Sequence, residues 1–193
     1  MEKTIRKALV EKERDFRIHA ELWHTANCLL RAGQQPKESS AHEFRASLIF
    51  RAFYVEAFLN WLGPQLIPHW KYLERLKPRE KLDLLADLIQ VKPDYGGRPW
   101  QIVKELFEFR NAVAHGKPET LKSESYEDLN AFLSGKIDFV QTDWASLGTE
   151  EYAVRANEDV EKIANILYEK ANLKHKGPLG PFSFGFQIRH ASL

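Results

Sequence analysis

The chain has one cysteine, Cys28, in 193 residues, so it has no internal disulfide and no Cys-x-x-Cys pair to hold zinc. Nowhere do 18 apolar residues run together, and the charged start Met1-Glu2-Lys3-Thr4-Ile5-Arg6-Lys7 is not followed by an apolar segment. Neither a membrane span nor a secretory leader is expected, and a cytoplasmic chain is. The seven histidines lack metal spacing: His19 and His24 are five apart, with no His-Glu-x-x-His beside them. There is no Walker loop, Rossmann glycine fingerprint or nucleophile elbow, so no metal and no cofactor is expected. An excess of one charge is also missing. At a formal net charge of +1, any contact with nucleic acid has to come from local clusters of Lys and Arg.

What is present is ordinary globular material, 44% hydrophobic and 28% charged, enough for one domain with a real core. Helical spacing predicts a first helix within residues 3–31, with Phe16, Leu22, Trp23, Ala26, Leu29 and Leu30 inward and Gly33 closing it. Residues 40–62 are apolar nearly all round, as in a central helix wrapped by others, and Gly63-Pro64 is expected to break it. Glu56 and Asn60 lie one turn apart there, on a face shared with Ile49 and Phe53. Short pieces follow to Lys77. Pro78 opens a further helix with Leu82, Leu85, Leu88 and Ile89 as its stripe, and Lys92 to Pro99 is a turn-rich connector. The basic run Lys71, Arg75, Lys77, Arg79 and Lys81 is interleaved with acids and reads as a solvated face.

After a helix over residues 100–115 the periodicity weakens. Tyr126 to Leu133 suggests a short helix, Ile137 to Val140 alternates like a strand, and Trp144 is expected to anchor the loop. Asn157 is predicted to cap a last helix running to Leu173, and residues 174–193 to form an irregular tail.

The helix over residues 100–115 ends in Phe109-Arg110-Asn111-Ala112-Val113-Ala114-His115-Gly116-Lys117. At about 100° per residue, Arg110 falls inside the apolar arc that runs from Phe109 through Ile102, Val113, Leu106 and Val103 to Phe107. A guanidinium facing the core has to be paired, hydrogen-bonded or led into a cleft, and Glu56 and Asn60 are its best internal partners. His115 lies about 140° further round, with Asn111 one turn below it. In one ideal helix the arginine and histidine therefore diverge. They meet more easily if a second copy faces the first or if the helix end unwinds.

The order Arg110-Asn111-x-x-x-His115, late in a small helical chain, resembles the HEPN superfamily, many of whose members are metal-independent ribonucleases. Ser47 to Asn60 looks like the early core helix of that superfamily, with Glu56 at its acidic position, and the resemblance spans roughly residues 40–172. Lys117 stands where one subgroup carries tyrosine, which separates this chain from that subgroup. The resemblance implies an all-α bundle of about five main helices with an irregular insertion after the motif helix, forming a single HEPN-like helical domain over residues 1–173. It also implies a homodimer in which two Arg110 and two His115 face RNA across one cleft, a toxin or phage-defence setting, and an antitoxin or regulatory protein as further partner.

The chemistry suits the residues. Cleaving RNA without a metal requires a proton to leave the ribose 2′-hydroxyl, charge on the phosphorane to be neutralised, and the departing 5′-oxygen to be protonated. An imidazole moves protons near neutrality and a guanidinium offers a planar fork to two phosphate oxygens; the products would be a 2′,3′-cyclic phosphate and a 5′-hydroxyl. Arg110 and His115 are the candidate catalytic residues, Asn111 and Glu56 the supporting ones, and Lys104, Lys117 and Arg98 weaker RNA contacts. The alternatives stay open: Arg110 as a structural clamp on Glu56, His115 as a helix-terminal cation, and the chain as a silent HEPN-like module that binds RNA or protein.

Overall fold

The computed structural model describes residues 8–35, 40–122, 129–134, 141–173 and 183–190. Its body is an all-α bundle. Among the described residues the helices are α1 (Ile18–Gly33), α2 (Ser40–Leu66), α3 (Pro78–Leu88), α4 (Gln101–Ala114), α5 (Leu129–Leu133), α6 (Asp143–Ser146) and α7 (Glu150–Lys170), with a 3-10 turn at Trp70–Tyr72. Among the described residues no helix is long and apolar enough to cross a membrane.

The central helix is α2, as its all-round apolar pattern requires: α1, α3, α4 and α7 all pack on it. Leu48, Ala52, Tyr54, Leu59 and Leu62 are wholly buried along its length. Against them lie Ala26 of α1, Leu82 and Leu85 of α3, Ile102 and Leu106 of α4, and Ala156 and Leu167 of α7. Polar groups inside this core act as clamps. Arg51, fully buried, donates to Asn27 Oδ1 at 2.5 Å and lies 3.8 Å from the centroid of the Trp23 ring, which ties α2 to α1 through a cation–π contact and a charge-assisted hydrogen bond. Burial pulls its guanidinium below the ordinary arginine range, with Tyr54 and Glu161 opposing the shift.

Several boundaries differ from those predicted. The first helix is shorter than residues 3–31 allow, because Ala8–Asp15 forms a strand, β1, paired antiparallel with Ser183–His190, β2, in register Ala8↔His190 to Asp15↔Ser183. Phe16, expected in the core, is accordingly 54% exposed. Part of the tail expected to be irregular is thus ordered as a strand, and its alternating Phe184, Phe186 and Ile188 fit a period of two. Helix α2 runs through Gly63-Pro64 to Leu66. Pro64, in the last turn, has no N–H to donate to the Asn60 carbonyl one turn back, a loss of one bond from a 27-residue helix, and the Trp70 indole packs so closely on Gly63 that any Cβ there would collide with it. Asn157 is not a cap: α7 starts seven residues earlier, where Thr149 Oγ1 accepts from the Tyr152 amide at 3.2 Å. Leu88 is 52% exposed.

Of the short helix expected over Tyr126 to Leu133, Leu129–Leu133 is present as α5, while residues 126–128, like Ile137 to Val140, lie outside the described residues. Trp144 does anchor its loop: the Arg45 guanidinium stacks over its ring at 5.5 Å and Arg45 Nη2 donates to the Ala145 carbonyl at 2.9 Å. This pins α6 onto the N-terminal half of α2.

Candidate functional site

Helix α4 is held at its start and along its flank by α7. Arg98, just before α4, donates from Nε to both oxygens of the buried Asp159 at 2.9 and 3.0 Å and from Nη2 to Glu158 at 3.1 Å. One turn in, Glu105 accepts from Tyr152 Oη at 2.8 Å, from Gln101 Nε2 at 2.6 Å and from Arg155. Burial, and then the bond to Glu105, raise the Tyr152 phenol above its ordinary range. Ile102, Leu106 and Phe109 are sunk in the core, so the rotation of α4 is fixed, and with it the direction of Arg110.

Arg110 is led into a cleft and loosely paired, as its place in the apolar arc demands. Its Nη2 lies 3.8 Å from Glu56 Oε2, with the two side chains 26% and 34% exposed, and its guanidinium sits 5.3 Å from the centroid of Phe107. That is an ion pair beyond hydrogen-bond reach. The Nε of Arg110 is buried with no hydrogen-bond partner. Asn60, the other predicted partner, is engaged elsewhere: its Oδ1 accepts from Lys81 Nζ at 2.9 Å. Lys81, placed on a solvated face by its sequence neighbourhood, is in fact 1% exposed, because α3 turns it towards α2. Two cations one helix apart therefore meet two polar side chains one turn apart on α2.

Beside Arg110 opens a groove of about 370 Å³ between the start of α3 and the outer face of α4. Its walls carry Lys77, Arg79, Lys104, Arg110 and Asn111 with the single carboxylate of Glu108, and its apolar lining comes from Pro78, Phe107 and the almost wholly buried Val103. Arg79 is already bound to Asp83 at 3.0 Å and Lys104 stands 3.7 Å from Glu108 with both side chains about two-thirds exposed. The Lys77 ammonium makes no ion pair among the described residues. The two larger clefts have the opposite character: one is lined by Glu105, Glu108 and Asp143 with Arg155, the other by Glu150, Glu151 and Glu158 with Arg98 and Arg155.

The remaining predicted site residues divide. Asn111 joins Arg110 on the groove. His115 is the C-cap residue of α4, its backbone amide donating to the Asn111 carbonyl at 2.9 Å; its side chain is exposed and is not part of the groove wall. Lys117 follows on the exposed segment beyond the helix. Arg98 is committed to Asp159 in an acid-lined cleft, and so stands apart from Arg110. The helix does not unwind at its end, and every residue from Asn111 to Lys117 is exposed, Val113 at 42%. Sequence reasoning missed Lys77 as a groove residue; Lys77-Pro78 at a helix start was the available signal, since a residue at the N-cap stands clear of the helix face that the core covers.

Neither a family model, nor a curated protein, nor a solved structure matches this chain. Its function is therefore argued from the site itself.

Proposed function

We propose that the chain is a metal-independent endoribonuclease of HEPN type, with Arg110 as the phosphate clamp and His115 as the proton-transfer group. The observation that carries this proposal is the setting of Arg110: half-buried, only loosely paired, and opening on the one cation-rich groove among the three clefts described above. A polyanion is attracted there and repelled from the other two. Glu56 holds the guanidinium in orientation without closing it off.

The site is incomplete in one chain, because His115 leaves α4 on a different side from Arg110. We infer a homodimer in which the exposed ends of two α4 helices face each other, so that each imidazole approaches the phosphate held by the partner's guanidinium. The bare segment from Asn111 to Lys117, with Val113 open to solvent, supports such a face. The toxin or phage-defence setting and a controlling antitoxin rest on the resemblance alone.

A second proposal has one observation in its favour, the absence of His115 from the groove wall: the chain is a catalytically silent HEPN-like dimeric module that binds RNA or protein. One experiment separates the two. Purified protein is incubated with single-stranded RNA in EDTA beside Arg110→Ala and His115→Ala variants of matched fold, and the fragment ends are analysed. Cleavage to 2′,3′-cyclic phosphates that both variants lose supports the nuclease; binding without cleavage supports the module.

A further inference from the structure

The groove contains more than a phosphate clamp needs. Arg110 alone would meet one phosphodiester, yet Lys77 and Lys104 stand on the same walls and the accessible apolar lining is Phe107 and Pro78. Its volume of about 370 Å³ falls in the range of about 300–1,000 Å³ common for small-ligand sites. Cations around an apolar lining match a nucleotide, whose base prefers an apolar or aromatic surface and whose phosphates require positive charge. Asn111 adds a donor and an acceptor at the edge, the two functions that read a base.

From this we propose that the groove is a nucleotide subsite for single-stranded RNA, seating the residue next to the phosphate on Arg110, with its base against Phe107 and Pro78 and its far phosphate on Lys77 and Lys104. The inference rests on RNA being the ligand of the proposed nuclease and extends it to how the strand is held. Lys77 is the strongest single contact, since Arg79 is bound to Asp83 and Lys104 is shared with Glu108. The α3 edge thereby becomes part of the substrate path, and strand placement depends on a helix outside the Arg-x4-His motif.

The probe is a fluorescent six-nucleotide single-stranded RNA with 2′-O-methyl groups, which lacks the nucleophile and so reports binding without cleavage. Its affinity is measured by anisotropy at several salt concentrations for the full chain, for Lys77→Glu, for Lys104→Glu, and for Lys162→Glu, an exposed position on α7 that makes the same change in net charge. Thermal melting verifies that each variant folds.

We expect Kd to rise at least about fivefold for each groove variant and less than about twofold for Lys162→Glu. The slope of log K against log salt should shrink by about 0.7 per lost phosphate contact. No binding by the unaltered chain, or equal effects of all three reversals, overturns the subsite. Cleavage that needs Arg110 and His115 yet ignores the groove variants overturns the subsite and leaves the nuclease standing. Groove-dependent binding without any cleavage does the reverse.

Discussion

Arg110 of α4 and Glu56 of α2 face each other at 3.8 Å, Nη2 to Oε2, near enough to orient the guanidinium and too far to consume its donors. A closed, bidentate pair would have made Arg110 a tertiary clamp, as Arg98 is on Asp159. The open pair leaves a fixed cation with donors to spare beside a groove. A double-mutant cycle on Arg110→Ala and Glu56→Ala should therefore give a coupling of no more than about 1 kcal/mol in urea unfolding, as for partly solvated pairs. Arg110→Ala should meanwhile lower RNA cleavage at least about 100-fold, since phosphorane charge loses its stabiliser. A coupling of several kcal/mol with cleavage intact would return Arg110 to the role of clamp.

The His115 side chain is exposed and makes no hydrogen bond or ion pair among the described residues. His115→Ala should leave unfolding free energy within about 0.5 kcal/mol of the parent, as for an exposed surface site, while cleavage falls by about 10²-fold or more. Stability lost together with activity would mean that the imidazole is structural.

The proposed dimer places its own demand on Val113, an apolar side chain left 42% exposed within the segment Arg110 to His115. Analytical ultracentrifugation should find twice the chain mass, and Val113→Glu should bring it down to the single chain and abolish cleavage while the circular dichroism stays helical. A catalytically active monomer would defeat the composite site.

Lys81 offers a test of the packing behind the groove. It is buried with Asn60 as its hydrogen-bond partner. Lys81→Ala should cost about 2–4 kcal/mol through the cavity it leaves. Lys81→Met keeps the volume and strands only the Asn60 amide, for about 1–3 kcal/mol. Chemical denaturation orders the two variants; equal costs would show that the ammonium, which both remove, and not the packing, matters.

Alkaline pH should loosen the fold. Burial raises Tyr54, Tyr95 and Tyr152 above the value of 10.0 that they have when unfolded, helped by Asp83 at Tyr95 and Glu105 at Tyr152. The folded chain keeps these protons while the unfolded chain releases them, so their contribution is whole below pH 10 and is lost as pH rises beyond it. Arg51, drawn down by burial, works in the opposite direction, one group against three. The opposing effect of Arg51 sets in from about pH 9, so urea midpoints should fall from about pH 10 to about pH 11, and Tyr152→Phe should make the fall shallower; a midpoint that rises over that interval would overturn the role given to the three tyrosines.

Much of this was legible in the chain because it is written in local periodicity. The helical spacing of Ile102, Leu106 and Phe109 located α4, the all-round apolar run from Phe44 to Leu62 located the central helix, and the intrusion of Arg110 into an apolar arc marked the position that had to find a partner. Glu56 was identifiable as that partner from its own helix face. What depends on distant chain segments was not legible. The ribbon of Ala8–Asp15 with Ser183–His190 joins segments nearly the whole chain apart, and the stretch Ala8 to Asp15 taken alone has helical composition. Lys81 looked like one of a row of surface cations, and only the way α3 leans on α2 buries it.

The amino-acid order by itself determined the helices and the constellation of Arg110, Asn111 and His115, because hydrophobic period and residue chemistry act over a few turns. Only the tertiary structure decided that Arg110 keeps free donors, that Lys77 and Lys104 join it around one groove, and that His115 stands outside it. Those outcomes depend on the rotation and separation of packed helices, which are set by core contacts between residues far apart in the chain.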